Sequence, residues 1–301
     1  MAHSKELDAL ITTLRSRSRV STGNIDDDRK AGDARGETFK LAADIKCERV
    51  GAGGVPAEWI NPPGAAQEQV LLYLHGGGYT SGSMRSHRHT IGEIARAGGM
   101  RALGLDYRLA PENPFPAAVD DSVAAYRWLL SNGQDPGKVV IAGDSAGGGL
   151  ALSALVALRY LGEPMPAAGV CLSAWADLTQ SGDSIRTNAE SDPTVTKERL
   201  DWGAGAYMGY RDLRAPLASP LFADLSGLPP LLMMVGSVEI LLDDSTRVAE
   251  KARASGVDVT LEVWEDMPHV WQNFAPALPE GQQSIERIGE FIRQHVNGNH
   301  G

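Results

Sequence analysis

An α/β fold is what this sequence predicts: eight strands in a mostly parallel sheet, with helices on both faces. Strand-like and helix-like segments alternate along most of the chain, the order that builds such a sheet. Runs such as VLLYL at 70–74 and LLMMVG at 231–236 are apolar throughout, as strands covered on both faces are. The 301 residues, 43% of them hydrophobic, suffice for a large core and one or two domains.

Residues 5–16 form a first helix and 37–44 a second, separated by a polar stretch, 21–36, that holds Asp26, Asp27, Asp28 and Gly32. KCERV and VPAEWI flank GAGG and read as a hairpin of antiparallel edge strands. A loop, NPPGAAQE, leads into the buried strand VLLYL. Next come a helix at 86–97, a strand at 101–107 and the proline-rich turn RLAPENPFP, which stops regular structure. The segment 117–132 is an amphipathic helix, VVIAGD is the following strand, and a helix runs on to residue 161 or so. AAGVCLSAW, 167–175, is another strand. Residues 180–215 then carry no buried-strand signal. Thr194 or Thr196 caps a helix there that carries Glu198 and Leu200. Trp202, Tyr207 and Tyr210 sit on this insert, which reads as a lid. LLMMVG resumes the sheet, a helix covers 241–255, VTLEVWE is the eighth strand and SIERIGEFIRQHV the closing helix.

The most informative stretch is KVVIAGDSAGGGLALSALVAL, 138–158. A β-rich run ends at Gly143, Ser145 follows at a turn, and small residues open a helix. Gly143 and Gly147 flank the serine as G-x-S-x-G. Such an elbow strains the serine backbone and brings strand and helix so close that side chains beside it would clash. It holds a hydroxyl in the open, ready to attack a carbonyl. An ordinary turn with a capping serine could use the same residues, so a second motif matters. QVLLYLHGGG, 69–78, drives an apolar strand into His75 and three glycines. Backbone amides there can face a developing negative charge, as in the oxyanion hole of acyl transfer. Gly77, Gly78 and Ala146, the residue after the serine, are the candidate amides. His75 reads as a brace for the loop.

A serine is not nucleophilic at its own pKa; it needs a base, and the base needs an orienting carboxylate. Of the seven histidines, His3 and His300 lie near the ends, His87 and His89 in the polar segment SHRHT, and His295 in the last helix. His269, in WEDMPHVWQN just after the last strand, is the candidate base. The acid should follow LLMMVG. Glu239, three residues past Gly236, is still in the loop, whereas Asp243 and Asp244 come about a turn later, in the helix and turned away. Glu239 is the candidate acid and Asp243 its rival. The order Ser145, Glu239, His269 is the nucleophile–acid–base order of α/β-hydrolases.

A formal net charge of -10 disfavours nucleic acid and anionic membrane surfaces as partners. The stretch MAHSKELDALITTLRSRSRV has no unbroken apolar segment. No run nears the roughly 18 apolar residues that span a bilayer. We therefore expect a cytoplasmic protein with no membrane association. Cys47 and Cys171, both in strands, fit no metal motif and suit a reducing compartment as free thiols.

Four motifs in order, HGGG at 75–78, YRLAPENPFPAAVDD at 107–121, GDSAGG at 143–148 and MPH at 267–269, resemble the bacterial hormone-sensitive-lipase-like carboxylesterases of the GDSAG group. The resemblance covers nearly all of the chain. It implies an α/β-hydrolase core with a helical cap made from the N-terminal helices and an insertion after strand six. On that scheme 1–44 is the N-terminal part of the cap, 45–179 the first part of the core, 180–215 the cap insertion and 216–301 the rest of the core. It also implies hydrolysis of small-acyl esters, a small-molecule substrate, no cofactor, and often a homodimer through the last strand and helix. Carried over by motif, Ser145 is the nucleophile, His269 the base, and Gly77, Gly78 and Ala146 the oxyanion amides. The chain departs from the common form in having Glu239 where an aspartate is usual. Asp144 matches a structural member of the motif, and Tyr79, Asp192 and Trp202 are candidates for either the pocket or its packing. A lactone or an acetylated xenobiotic would use the same triad. A binding protein that had lost its chemistry should lack a member of it. A lipase working at an oil–water interface would want an apolar lid, whereas this insert is rich in Asp, Arg, Glu and Lys.

Overall fold

The computed structural model describes residues 4–16 and 24–297. His3 and His300 lie outside the described residues. The chain runs α1 (Lys5–Ser16), α2 (Ile25–Gly36), β1 (Lys46–Ala52), β2 (Val55–Asn61), β3 (Ala66–Leu74), α3 (Met84–Gly98), β4 (Met100–Leu105), α4 (Ala117–Ser131), β5 (Val139–Asp144) and α5 (Ala146–Tyr160). It continues through β6 (Ala168–Leu172), the short α6 (Ser184–Thr187), α7 (Lys197–Met208), β7 (Leu231–Gly236), α8 (Leu242–Ala254), β8 (Val259–Trp264) and α9 (Pro279–Asn297).

Among the described residues the strands form one eight-stranded sheet in the order β1-β2-β4-β3-β5-β6-β7-β8. The expected hairpin is there: β1 pairs antiparallel with β2, and β2 antiparallel with β4. Every later pairing is parallel. The apolar run of β3 shows why both faces must be covered. Val70, Leu72 and Leu74 point into a core shared with α4, α5 and α8. Leu71 and Tyr73 point the other way, into a core shared with α1, α3 and α9. This is the period-2 alternation of a strand applied to a sheet buried on both sides. A fully buried Leu or Ile of this kind contributes about 1.5–3 kcal/mol.

Three local expectations are corrected. The second helix is α2, not 37–44. Asn24 Oδ1 accepts the amides of Asp26 at 2.9 Å and Asp27 at 3.4 Å. Asp26, Asp27 and Asp28 fill the first turn, where negative charge meets the positive end of the helix dipole. The apolar residues of 37–44 pack instead of forming a helix face. The Phe39 ring lies 5.6 Å from that of His89 and 6.3 Å from that of Phe274. Second, the polar segment SHRHT belongs to α3, and its His87 and His89 are both buried. Third, β6 stops at Leu172, short of the expected 175, because Ser173 turns into the left-handed region at φ 47°. Of the two threonines, Thr196 caps α7, with Oγ1 accepting the Arg199 amide at 3.4 Å.

Candidate active site

Four strand ends meet above the sheet. At the end of β5, Ser145 has φ 54° and ψ -123°, and α5 begins at the next residue. That conformation is strained for any side chain, so the surroundings must impose it. The Ser145 amide donates to the Leu172 carbonyl at 2.8 Å, and its carbonyl accepts from the Trp175 amide at 2.9 Å. A Cβ on Gly143 would run into the Gly147 carbonyl, and one on Gly147 into the Leu74 carbonyl. The glycines of G-x-S-x-G therefore serve close backbone packing.

His269, in the loop after β8, places Nε2 2.9 Å from Ser145 Oγ and Nδ1 2.7 Å from Glu239 Oε2. Glu239 is fully buried just past β7. Its other oxygen, Oε1, accepts the Ser173 hydroxyl at 2.7 Å and the Gly236 amide at 2.6 Å. Burial lowers the His269 pKa, but the Glu239 charge and hydrogen bond, with Asp192 and Asp144 farther off, outweigh it, so the value is raised above 6.5. The rival Asp243 lies on α8 and accepts the Ser184 amide at 3.0 Å. Asp244 accepts the Ala176 and Asp177 amides, both at 2.8 Å. Burial and the neighbouring Asp177 charge push its pKa up to about 8.

Two residues of this arrangement escaped the sequence reading. Ser173 Oγ also accepts the Val270 amide at 3.1 Å, so it ties the Glu239 carboxylate to the histidine loop. Asn188 Nδ2 donates to the Glu239 carbonyl at 2.9 Å. Neither stands in a recognisable motif, and the strand expected over 167–175 placed Ser173 inside it, where β6 in fact ends at Leu172.

In the glycine loop, Gly77 has φ 125° and Gly78 φ 64°, conformations that favour glycine. The Gly76 carbonyl accepts from His75 Nδ1 at 2.8 Å. The Gly77 carbonyl accepts from the Ser81 amide at 3.0 Å and the Ser81 hydroxyl at 2.9 Å. In a trans peptide N–H opposes C=O, so the Gly77 and Gly78 amides are turned away from those partners. His75 is thus the expected brace, buried and stacked on Tyr107 at 4.3 Å.

Ser145, His269 and the glycine loop open into a cavity of about 670 Å³. Leu10 and Phe39 line it from the N-terminal segment, Val195, Leu200 and Trp202 from the insert. Trp202 is half exposed there. Tyr79 is buried against Tyr207, their rings stacked at 3.9 Å, and so serves packing. Asp192 is buried and holds the insert's turn, accepting the Thr194, Val195 and Ile240 amides. A second groove, of about 730 Å³, beside α4 and α5 holds neither serine–histidine pair nor glycine loop.

α2 has no buried residue and is fastened by polar contacts. Arg29 donates to the Thr80 carbonyl at 2.8 Å and the Ala110 carbonyl at 3.0 Å, and pairs with Glu112. Glu112 is 52% exposed, so the ion pair adds little and the two carbonyl bonds matter more. Replacing Arg29 by alanine is expected to loosen α2 by about 1–3 kcal/mol. Limited proteolysis would show faster cleavage between residues 24 and 44; unchanged cleavage would contradict this fastening.

Residues 71–273 match a family described as the alpha/beta hydrolase fold. A crystal structure of an esterase from the bacterial hormone-sensitive lipase (HSL) family superposes with a TM-score of 0.96 at 59% identity, over 98% of this chain and 100% of that one. A structure of EstE5 soaked with p-nitrophenyl butyrate gives a TM-score of 0.94 at 49% identity, over 98% and 100% of the two chains. An acetyl-hydrolase from Streptomyces hygroscopicus is 45% identical over 291 residues, 96% of this chain and 97% of that protein. Fold and site together define an α/β hydrolase. More narrowly, the chain belongs to the bacterial hormone-sensitive lipase family.

Proposed function

We propose that this protein is a serine carboxylesterase that hydrolyses short-chain acyl esters through an acyl-enzyme. The observation that carries the reading is the unbroken relay from Ser145 Oγ through His269 to the buried Glu239, at 2.9 and 2.7 Å. Ser145 Oγ attacks the ester carbonyl while His269 Nε2 takes its proton. Glu239 holds the imidazole in the tautomer with Nε2 free and stabilises the imidazolium that forms. The Gly77, Gly78 and Ala146 amides donate to the oxyanion. His269 then protonates the leaving alcohol. Water repeats the sequence on the acyl-enzyme, releasing the acid and restoring Ser145. An oxyanion amide of this kind is worth about 3–4 kcal/mol of barrier.

Small acyl groups are supported by the relative named acetyl-hydrolase and by the relative soaked with p-nitrophenyl butyrate. The same reading makes 1–44 and 180–215 the two parts of a cap over the core. It also places the protein in the cytoplasm, in keeping with two free thiols, and pairs two copies through β8 and α9. Sedimentation would check the dimer. Chromogenic esters of increasing acyl length test the substrate class, with the rate expected to peak at about two to six acyl carbons for a cavity of this size. A peak at long chains would contradict it.

A further inference from the structure

Beside the glycine loop, in the wall of the same cavity, lies a polar cluster that the chemistry above does not use. Asp144, the residue before Ser145, is buried. Its Oδ1 accepts the Gly76 amide at 3.0 Å and the Tyr73 hydroxyl at 2.9 Å. Its Oδ2 stands 3.4 Å from Nε2 of His87, which comes from the first turn of α3 and is also buried. On the other side of that ring, Nδ1 lies 2.8 Å from Ser86 Oγ and 3.2 Å from the Ser83 carbonyl. The Ser86 hydroxyl donates its own proton to the Ser83 carbonyl at 2.9 Å, so its oxygen is an acceptor toward Nδ1. Nδ1 thus faces the Ser83 carbonyl and the Ser86 oxygen, and Nε2 faces a carboxylate. Burial lowers the His87 pKa, but the Asp144 charge and hydrogen bond outweigh it and raise it above the ordinary histidine value, which favours a charged ring paired with the buried carboxylate.

The neighbouring His75 cannot supply that charge. Burial, and then the His87 charge 5.4 Å away between ring centres, push its pKa down to about 3. It is neutral and donates through Nδ1 to the Gly76 carbonyl at 2.8 Å. Gly76 is thus gripped at both ends of its peptide groups, at N–H by Asp144 and at C=O by His75. The C=O of Gly76 and the N–H of Gly77 share one plane, so the grip on Gly76 sets the direction of the first oxyanion amide. An isolated buried carboxylate would be costly, and it would shift or take up a proton without its partner.

We propose that His87 is a positioning residue for ester hydrolysis: through its ion pair with Asp144 it fixes the Gly76 peptide and so aims the Gly77 and Gly78 amides at the oxyanion. The inference rests on the esterase reading above. Donors that act on the oxyanion are felt in the transition state and not in ground-state binding. His87→Gln should therefore lower kcat about tenfold, with KM within about twofold, because small misplacements of catalytic groups have effects of that order or larger. An alkylboronic acid, which forms a tetrahedral adduct on Ser145, should bind more weakly by the same factor. A thermal melt shows that the variant is folded. Asp144→Asn keeps an oxygen for Gly76 and removes the charge, so it carries the test if the glutamine variant does not fold. The double variant should lose no more than Asp144→Asn alone, since His87 acts through that carboxylate. A kcat within about twofold of wild type, an unchanged boronate affinity, or fully multiplicative losses would overturn the proposal. Failure of the esterase reading looks different: Ser145→Ala would then keep its turnover. A dead Ser145→Ala beside a fully active His87→Gln sinks this inference alone.

Discussion

Replacing Ser145 by alanine is expected to lower kcat on p-nitrophenyl butyrate by about a millionfold, the order seen when a serine hydrolase loses its nucleophile. Here no other hydroxyl is held 2.9 Å from His269 Nε2 among the described residues. What remains is the weaker catalysis that oxyanion donors and binding supply to water, about 10³–10⁴ over the uncatalysed rate. The fold should not suffer. The bonds that hold the elbow, from the Ser145 amide to Leu172 and from Trp175 to the Ser145 carbonyl, belong to the main chain and survive the substitution. Stability should stay within about 1 kcal/mol, as for changes that create no cavity and bury no orphan group. A folded variant with more than a few per cent of wild-type turnover would remove Ser145 from the centre of the account.

Glu239→Gln should lower kcat by about 10⁴. The amide keeps the shape but can offer its NH₂ to His269, which turns the imidazole into the wrong tautomer. It also leaves Ser173 Oγ and the Gly236 amide competing for a single neutral oxygen where they now share Oε1 of a carboxylate. Asp243→Asn should change kcat by no more than about twofold, because that side chain serves the Ser184 amide on α6 and lies outside the relay. The pH profile sharpens the contrast. His269 acts as a base only when neutral, so kcat/KM rises as pH passes its pKa, which lies above 6.5. In the glutamine variant the largest raising charge is gone, Asp192 and Asp144 remain and the lowering effect of burial stays, so the residual activity should rise at lower pH than in wild type. A limb at the same pH or higher, or equal small effects of the two substitutions, would contradict the assignment of the acid.

How much of this was legible in the chain depends on how local each feature is. The elbow and the glycine loop are written in consecutive residues, and the structure gives them the strained φ values and close backbone contacts the letters suggested. The position of Glu239 was legible: it falls in the loop past β7, while Asp243 and Asp244 fall inside α8, whose hydrogen bonds turn them elsewhere. The helix expected at 37–44 failed because Phe39 and Leu41 find packing partners on α3 and near Phe274, and tertiary contact overrode local pattern. Ser173 and the His87–Asp144 pair were out of reach for another reason. Ser173 is 66 residues from Glu239, and the Asp144 carboxylate is 68 residues from the Gly76 amide it holds. Such contacts exist only once β3, β5, β6 and β7 lie side by side, and no spacing in the sequence announces them.

The most direct test of the central claim is rapid mixing with p-nitrophenyl butyrate, followed by acid quench and mass analysis of the peptide that carries Ser145. The account predicts that this peptide gains a butyryl group during turnover, and that neither the adduct nor the accompanying release of p-nitrophenol occurs in Ser145→Ala. Turnover with the acyl group on another residue, or turnover that persists in the alanine variant, would contradict it.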